Sequence, residues 1–131
     1  MNIAICGSMS FSKEMIEAQR KLEEMGHMVI IPENTHAYAN GTIKIENKLE
    51  KMKLDVIRKY YNEIKEIDAI LVLNYTKNGI ENYVGGNSLI EMAFAHVLDK
   101  KIFLLNSIPK MNYSDEIEAF NPIVLKGEIK I

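Results

Sequence analysis

Apolar and polar positions fall into short blocks along this chain, and each block has its own period. Asn2–Cys6 is a short apolar run ending at Gly7, the pattern of a strand feeding a tight turn. Phe11, Met15, Ala18, Leu22 and Met25 then recur at helical spacing, and Gly26 stops the helix. "HMVIIP" reads as a second strand closed by Pro32. The polar stretch from Glu33 to about Thr42, with its Asn40-Gly41 turn dipeptide, reads as a surface loop. Ile45, Leu49, Met52, Val56, Tyr60 and Ile64 mark one face of a long charged helix from Ile45 to Ile67. "AILVLN", Ala69–Asn74, is apolar without alternation, which favours a strand buried on both faces, as in a parallel sheet.

A second polar loop, "YTKNGIENYVGG", carries Gly79, Gly85 and Gly86. Ser88 to about Leu98 predicts a helix apolar nearly all round, hence deeply packed. "KIFLLN" reads as a fourth strand, "SIPKMNYSDEIEAF" as a turn and short helix, and "PIVL" as a last strand. Strands and helices alternate throughout. The expected architecture is a single α/β domain over residues 1–131, a doubly wound, flavodoxin- or Rossmann-like, five-stranded parallel sheet with helices on both faces. Ligands of such sheets sit beyond the carboxyl ends of the strands, near the topological switch point. Those ends are "CGSMS", "PENTH", "NYTKNG" and "NSIPK", so these loops form the predicted site.

Composition then narrows the chemistry. At 47% hydrophobic and 26% charged, the chain has the balance of a soluble globular protein. Its formal net charge is −2, and the basic residues are interleaved with acidic ones, which argues against a nucleic-acid-binding face. No apolar run approaches the roughly 20 residues that span a bilayer, so no membrane partner is expected. "MNIAIC" lacks the basic region and long apolar run of a signal peptide, which makes the cytoplasm the expected location. Cys6 is the only cysteine, so neither an internal disulfide nor a cysteine-based metal site is expected. The His residues share no metal-ligand spacing. No metal or cofactor is expected.

Two constellations can carry chemistry. In Cys6-Gly7-Ser8-Met9-Ser10, a small-residue turn lets backbone N–H groups and hydroxyls approach an anion. It lacks the further glycines of the dinucleotide fingerprint and the Gly-Lys-Ser/Thr ending of a P-loop. The alternative is a plain turn in which Ser10 or Ser12 caps a helix. The second constellation is "YVGGNSLIEMAFAH". Ser88-Leu89-Ile90-Glu91 fits a capping box, with Ser88 as N-cap and Glu91 reaching back to it. Yet Gly85 and Gly86 permit close backbone approach to a ligand, with Asn87 beside them, and Glu91 is a lone carboxylate in an apolar helix at the mouth of the sheet. A helix N-terminus favours an ionised carboxylate by about 0.3–1 kcal/mol, and a nucleophile must be ionised.

Other residues carry weaker signals. Asn74 and Asn106 end strands at the same mouth and either cap loops or bond a ligand. His36 and Tyr38 belong to the polar loop after the second strand, where they either stay on the surface or close over a ligand. His27 reads as solvated or dipole-facing, His96 as structural, and the Met residues as packing.

"CGS" after strand one, "IDAILVLN" as strand three, and a glycine-preceded Glu followed by "MAFAHVLDKKIFLLN" resemble the nucleoside 2-deoxyribosyltransferase superfamily. Within it the chain looks most similar to the nucleoside 5′-monophosphate N-glycosidases, over about Met1 to Leu125. The resemblance implies an enzyme whose nucleophile is Glu91, attacking C1′ of the sugar to give a glycosyl-enzyme. It implies a 5′-phosphate site at Gly7, Ser8 and Met9, flanked by Cys6 and Ser10. It also implies a homodimer or higher homo-oligomer with a shared active site, in which Ser114 of a neighbouring subunit reaches the phosphate. The family carries an Asp about eight residues before the Asp that opens strand three; counting back from Asp68 lands on Tyr60, with Asp55 the nearest acid upstream of it. Protonation of the leaving base then falls to Asp55, to a Tyr hydroxyl such as that of Tyr60, or to nothing in this protein. The transferases carry an acid six residues before the nucleophile, where this chain has Gly85, which favours hydrolysis over base exchange. The implied substrate is a small nucleotide or nucleoside. The rival readings are a base-exchanging deoxyribosyltransferase and a nucleotide-binding module without catalysis.

Overall fold

A computed structural model of the chain describes residues 1–43 and 55–131. Five strands, β1 (Asn2–Gly7), β2 (Met28–Ile30), β3 (Ala69–Leu73), β4 (Lys101–Leu104) and β5 (Ile123–Val124), form one sheet in the order β2-β1-β3-β4-β5. Every pairing is parallel. The described helices are α1 (Ser12–Glu24), α2 (Thr35–Ala39), α3 (Val56–Lys65), α4 (Gly86–Val97) and α5 (Ser114–Ala119). This is the doubly wound α/β fold of flavodoxin type, and its strand order reverses between β1 and β3.

The two-residue period of the strands explains why helices cover both faces. Ile3, Ile5, Leu71, Leu73 and Phe103 point to one side, where Met15, Ala18 and Leu22 of α1 pack on them. Ala4, Cys6, Ile70, Val72, Ile102 and Leu104 point to the other, against Ile64 of α3, Met92 and Ala95 of α4, and Ile117 of α5. Both faces of β3 are therefore buried, so its sequence shows no alternation. A fully buried aliphatic side chain such as Leu71 contributes about 1.5–3 kcal/mol by leaving water. β2 is an edge strand, and Met28 on it is 71% exposed.

Three expected boundaries move. The polar stretch after β2 is not all loop: it contains the one-turn helix α2, entered through Asn34 in the left-handed conformation at φ 66°. The expected Ile45–Ile67 helix is seen as α3 from Val56 onward, and its first part lies outside the described residues. Finally, α4 starts at Gly86, two residues before the expected N-cap. Among the described residues no helix is long and apolar enough to cross a membrane.

Candidate active site

β1 and β3 end level with each other, Gly7 standing opposite Leu73 in the register. A Cβ on Gly7 would lie 3.1 Å from the Leu73 carbonyl oxygen and 3.3 Å from Met15 Cε, so a larger residue there would push against the β3 backbone. The chain then turns through Ser8 into a 3-10 turn, Met9–Phe11. Ser8 caps this turn, its Oγ accepting the Ser10 N–H at 3.2 Å, while the N-cap of α1 is Phe11 and neither Ser10 nor Ser12 caps that helix. α1 follows directly.

The capping box does not form. The N-cap of α4 is Gly85, extended at φ −81° and ψ 173°, and no side chain caps the helix. Tyr83 packs against this turn, since a Cβ on Gly85 would lie 3.3 Å from its ring. Ser88 is thus inside the first turn and buried, and Glu91 lies beyond it. The helix dipole acts mainly within that first turn and does little for Glu91. Its carboxyl is instead pushed up to about 7, mainly by burial, with the charge of Glu63 adding and a hydrogen bond from Cys6 opposing. Part of the residue still faces the cleft; protein packed around the carboxyl is what removes it from bulk water. The expectation that the helix N-terminus keeps this carboxylate ionised is corrected accordingly.

Cys6, fully buried on β1, donates its thiol to Glu91 Oε2 at 3.0 Å. Burial first, and the Glu91 carboxylate second, push the thiol well above its ordinary value, so it stays protonated and serves as a donor. Around Glu91 the cleft is lined by Ile5, Gly7, Met9, Pro32, Tyr60, Glu63 and Asn87, among others. Glu63, on the rim, has its carboxyl raised by desolvation first and by Glu33 second, while Lys59 pulls the other way.

A second, wider basin opens beside this cleft. Ser8, Ser10, Ser12, Lys13, Tyr38, Gly41 and Lys77 line it, and Met9 borders both. Lys77 Nζ lies 2.6 Å from Ser8 Oγ and 5.6 Å from the centroid of the Tyr83 ring. Cys6, Gly7, Ser8, Met9, Ser10, Tyr60, Asn87 and Glu91 are thus brought to one end of the sheet, with Gly85 and Gly86 opening the helix that carries Glu91.

Other expected site residues are placed differently. Asp55 is exposed, has φ 49°, and pairs with Arg58 at 3.0 Å; it does not line the Glu91 cleft. Asn74 is fully buried, and its side chain spans the ends of β3 and β4: Oδ1 accepts the Asn106 N–H at 2.8 Å, and Nδ2 donates to the carbonyls of Asn106 and Ser107 at 3.1 Å each. Of its two readings, the loop cap is the one seen. Ser114 Oγ accepts the Met111 N–H at 2.6 Å and lies 2.6 Å from the Pro109 carbonyl, so its hydroxyl closes its own turn. His27 bridges the chain ends, with Nδ1 3.1 Å from the Met1 amino group and Nε2 3.0 Å from the Ile131 carbonyl, rather than facing solvent or a dipole. His96 is exposed and stacks at a tilt on Phe120.

Glu63 and Lys77 are the residues that sequence reasoning passed over. Each had a signal. Glu63 lies three residues after Tyr60 on α3, one turn along the same face. Lys77 lies in "NYTKNG", a strand-end loop already assigned to the site.

No protein-family model matches the sequence, and no curated protein matches it. Among solved structures the chain is similar to that of the Clostridium botulinum CMP N-glycosidase, BcmB, with a TM-score of 0.54 over 95% of this chain and 85% of that one. Sequence identity is 20%, so what the two share is the doubly wound α/β fold.

Proposed function

We propose that the protein is an N-glycosidase that hydrolyses the N-glycosidic bond of a nucleoside 5′-monophosphate. The observation that carries this reading is the enclosed Glu91 carboxylate, one oxygen held by Cys6, in a cleft that shares Met9 with a neighbouring basin lined by serines, lysines and Glu14. The fold shared with a CMP N-glycosidase supports it. With Oε2 held, Oε1 attacks C1′. The C–N bond breaks, its electron pair leaves with the base, and a glycosyl ester forms. Water then attacks C1′ and restores the Glu91 carboxylate, leaving sugar 5-phosphate and free base. Two carboxyls with different environments are what such chemistry needs. Glu63 faces the cleft and has a raised proton affinity, so it suits the acid that protonates the departing base and then takes a proton from water. In this reading Tyr60 and Asn87, which line the same cleft, hydrogen-bond the sugar or base. A shared site in a homo-oligomer belongs to this reading only if the Ser114 hydroxyl gives up its own turn to reach a neighbour's phosphate.

The test is incubation with a panel of nucleoside 5′-monophosphates and nucleosides, with and without an acceptor base, followed by product separation. The expected result is free base and sugar 5-phosphate from a monophosphate, and none with Glu91→Gln. A new nucleoside formed only with acceptor base would indicate a transferase instead. Saturable binding without release would indicate a binding module.

A further inference from the structure

The hydroxyl of Ser8 accepts two hydrogen bonds, from Ser10 N–H at 3.2 Å and from Lys77 Nζ at 2.6 Å. A hydroxyl has two acceptor lone pairs and one proton. Both lone pairs are used, so the O–H is left to donate, and accepting from an ammonium polarises it toward stronger donation. The ammonium itself has three donors, of which Ser8 takes one. Its other contact is the face of Tyr83, a weak cation–π interaction. Among the described residues, Arg20, Arg58 and Lys59 pair with carboxylates, and Lys77 does not. Ser8 and Lys77 therefore present donors to the same basin, and Ser10, Ser12 and Lys13 line it with them. Glu14, also on that lining, sits beside Lys13 in sequence.

The position of Lys77 is built into its loop. Lys77 N–H donates to Ile80 O at 3.1 Å and Ile80 N–H returns to Lys77 O at 2.9 Å, while Tyr83 N–H donates to Tyr75 O at 3.0 Å. The loop between β3 and α4 is thus closed by its own backbone bonds, and its far end leads into the helix that carries Glu91.

We propose that Lys77, acting with Ser8, binds the terminal phosphate of the substrate and is the residue that discriminates a nucleoside monophosphate from the bare nucleoside. This rests on the N-glycosidase reading, since it takes the phosphate to be the 5′ group of that substrate. A phosphate monoester carries about −1.5 to −2 charge at neutral pH, and it needs donors and positive charge, which this pair supplies. Because Met9 borders both spaces, a phosphate held at Ser8 and Lys77 directs the attached sugar toward Glu91.

The experiment compares the native chain with Lys77→Met and Lys77→Arg. For a monophosphate and its parent nucleoside, kcat/KM is measured. Lys77→Met is expected to lower the monophosphate value about 10- to 100-fold, the size of one lost charge-assisted hydrogen bond, and to leave the nucleoside value within about threefold; Lys77→Arg retains most of the discrimination. In parallel, inorganic phosphate is titrated while the amide NMR signals of Ser8 and Ser10 are followed. Saturable shifts in the native chain that are lost in Lys77→Met support the phosphate site even if no nucleotide is turned over, in which case the N-glycosidase reading alone fails. Equal phosphate binding by both chains, or equal loss of activity toward nucleotide and nucleoside, overturns the proposal.

Discussion

The Cys6 thiol donates to Glu91 Oε2 across 3.0 Å, tying β1 to α4, the helix that carries Glu91 into the cleft. The contact fixes which oxygen is free to react. It also stabilises the ionised form of a carboxyl that burial otherwise protonates. Cys6→Ala removes the donor and should move the acid limb of the kcat/KM profile to higher pH. Activity below about pH 7 then drops several-fold, while the alkaline plateau changes less. Cys6→Ser, which keeps a donor, should hold the limb near its native position. Superimposable profiles for the native chain and Cys6→Ala would show that the contact only packs.

Glu91→Gln should separate activity from stability. The native carboxyl keeps its proton up to about pH 7, against an ordinary value of 4.5. Between those values the folded chain binds more protons than the unfolded one, so stability falls as pH rises through this window and stays lower above it. The glutamine variant escapes that loss. It should be more stable than the native chain at pH 8 by about 1–2 kcal/mol, allowing for the side of Glu91 open to the cleft. The difference should vanish below pH 4.5 in urea titrations run across the range. Activity should fall by about 10³-fold or more, as for loss of a nucleophile. A glutamine variant no more stable than the native chain at pH 8 would mean that Glu91 is not desolvated.

Glu63 and Asp55 offer a direct comparison, because both are acids on or next to α3 and only Glu63 lines the cleft. Glu63→Gln should lower kcat about 10²-fold with a natural leaving base, the lower end of general-acid contributions. The loss should shrink for a substrate whose base leaves without protonation. Asp55→Asn breaks only an exposed pair with Arg58, worth about 0–1 kcal/mol of stability, and should leave kcat within about twofold. The reverse ranking would return the acid role to Asp55.

The layered fold was readable because each signal was local. Gly7 and Gly26 punctuate the chain, β3 lacks alternation, and Met15, Ala18 and Leu22 keep helical spacing. Glu91 was readable for the same reason, as a carboxylate isolated in an apolar helix. What stayed hidden depended on pairs distant in sequence. The capping box at Ser88 was sound by local rules, yet Gly85 caps the helix and Tyr83 packs on that turn, so Glu91 sits one turn too far in to serve it. Its partner, Cys6, is 85 residues away. Lys77 meets Ser8 across 69 residues, because the register sets the ends of β1 and β3 side by side. Periodicity reports which face a residue takes and says nothing about which side chain waits opposite.

Asn74 is where the loop-cap and ligand readings can be separated by energetics. It is fully buried, accepts one backbone N–H from Asn106, and donates to the carbonyls of Asn106 and Ser107. Asn106 in turn donates its side chain to the Asn74 carbonyl at 3.1 Å. Asn74→Ala strips these backbone groups of their partners and should destabilise the chain by about 2–3 kcal/mol. Asn74→Asp has nearly the same shape but aims an anionic oxygen at two carbonyls where a donor stood. It should be worse than alanine at pH 8 and should recover toward it at pH 5. In the fold the new carboxyl's proton affinity is raised, so stability is gained as pH falls into the range where it is protonated. Under conditions where Asn74→Ala remains folded, its KM should stay within about twofold of native, because the side chain faces loop backbone rather than the cleft. A large KM change in folded Asn74→Ala, without the stability loss, would instead make Asn74 a substrate contact.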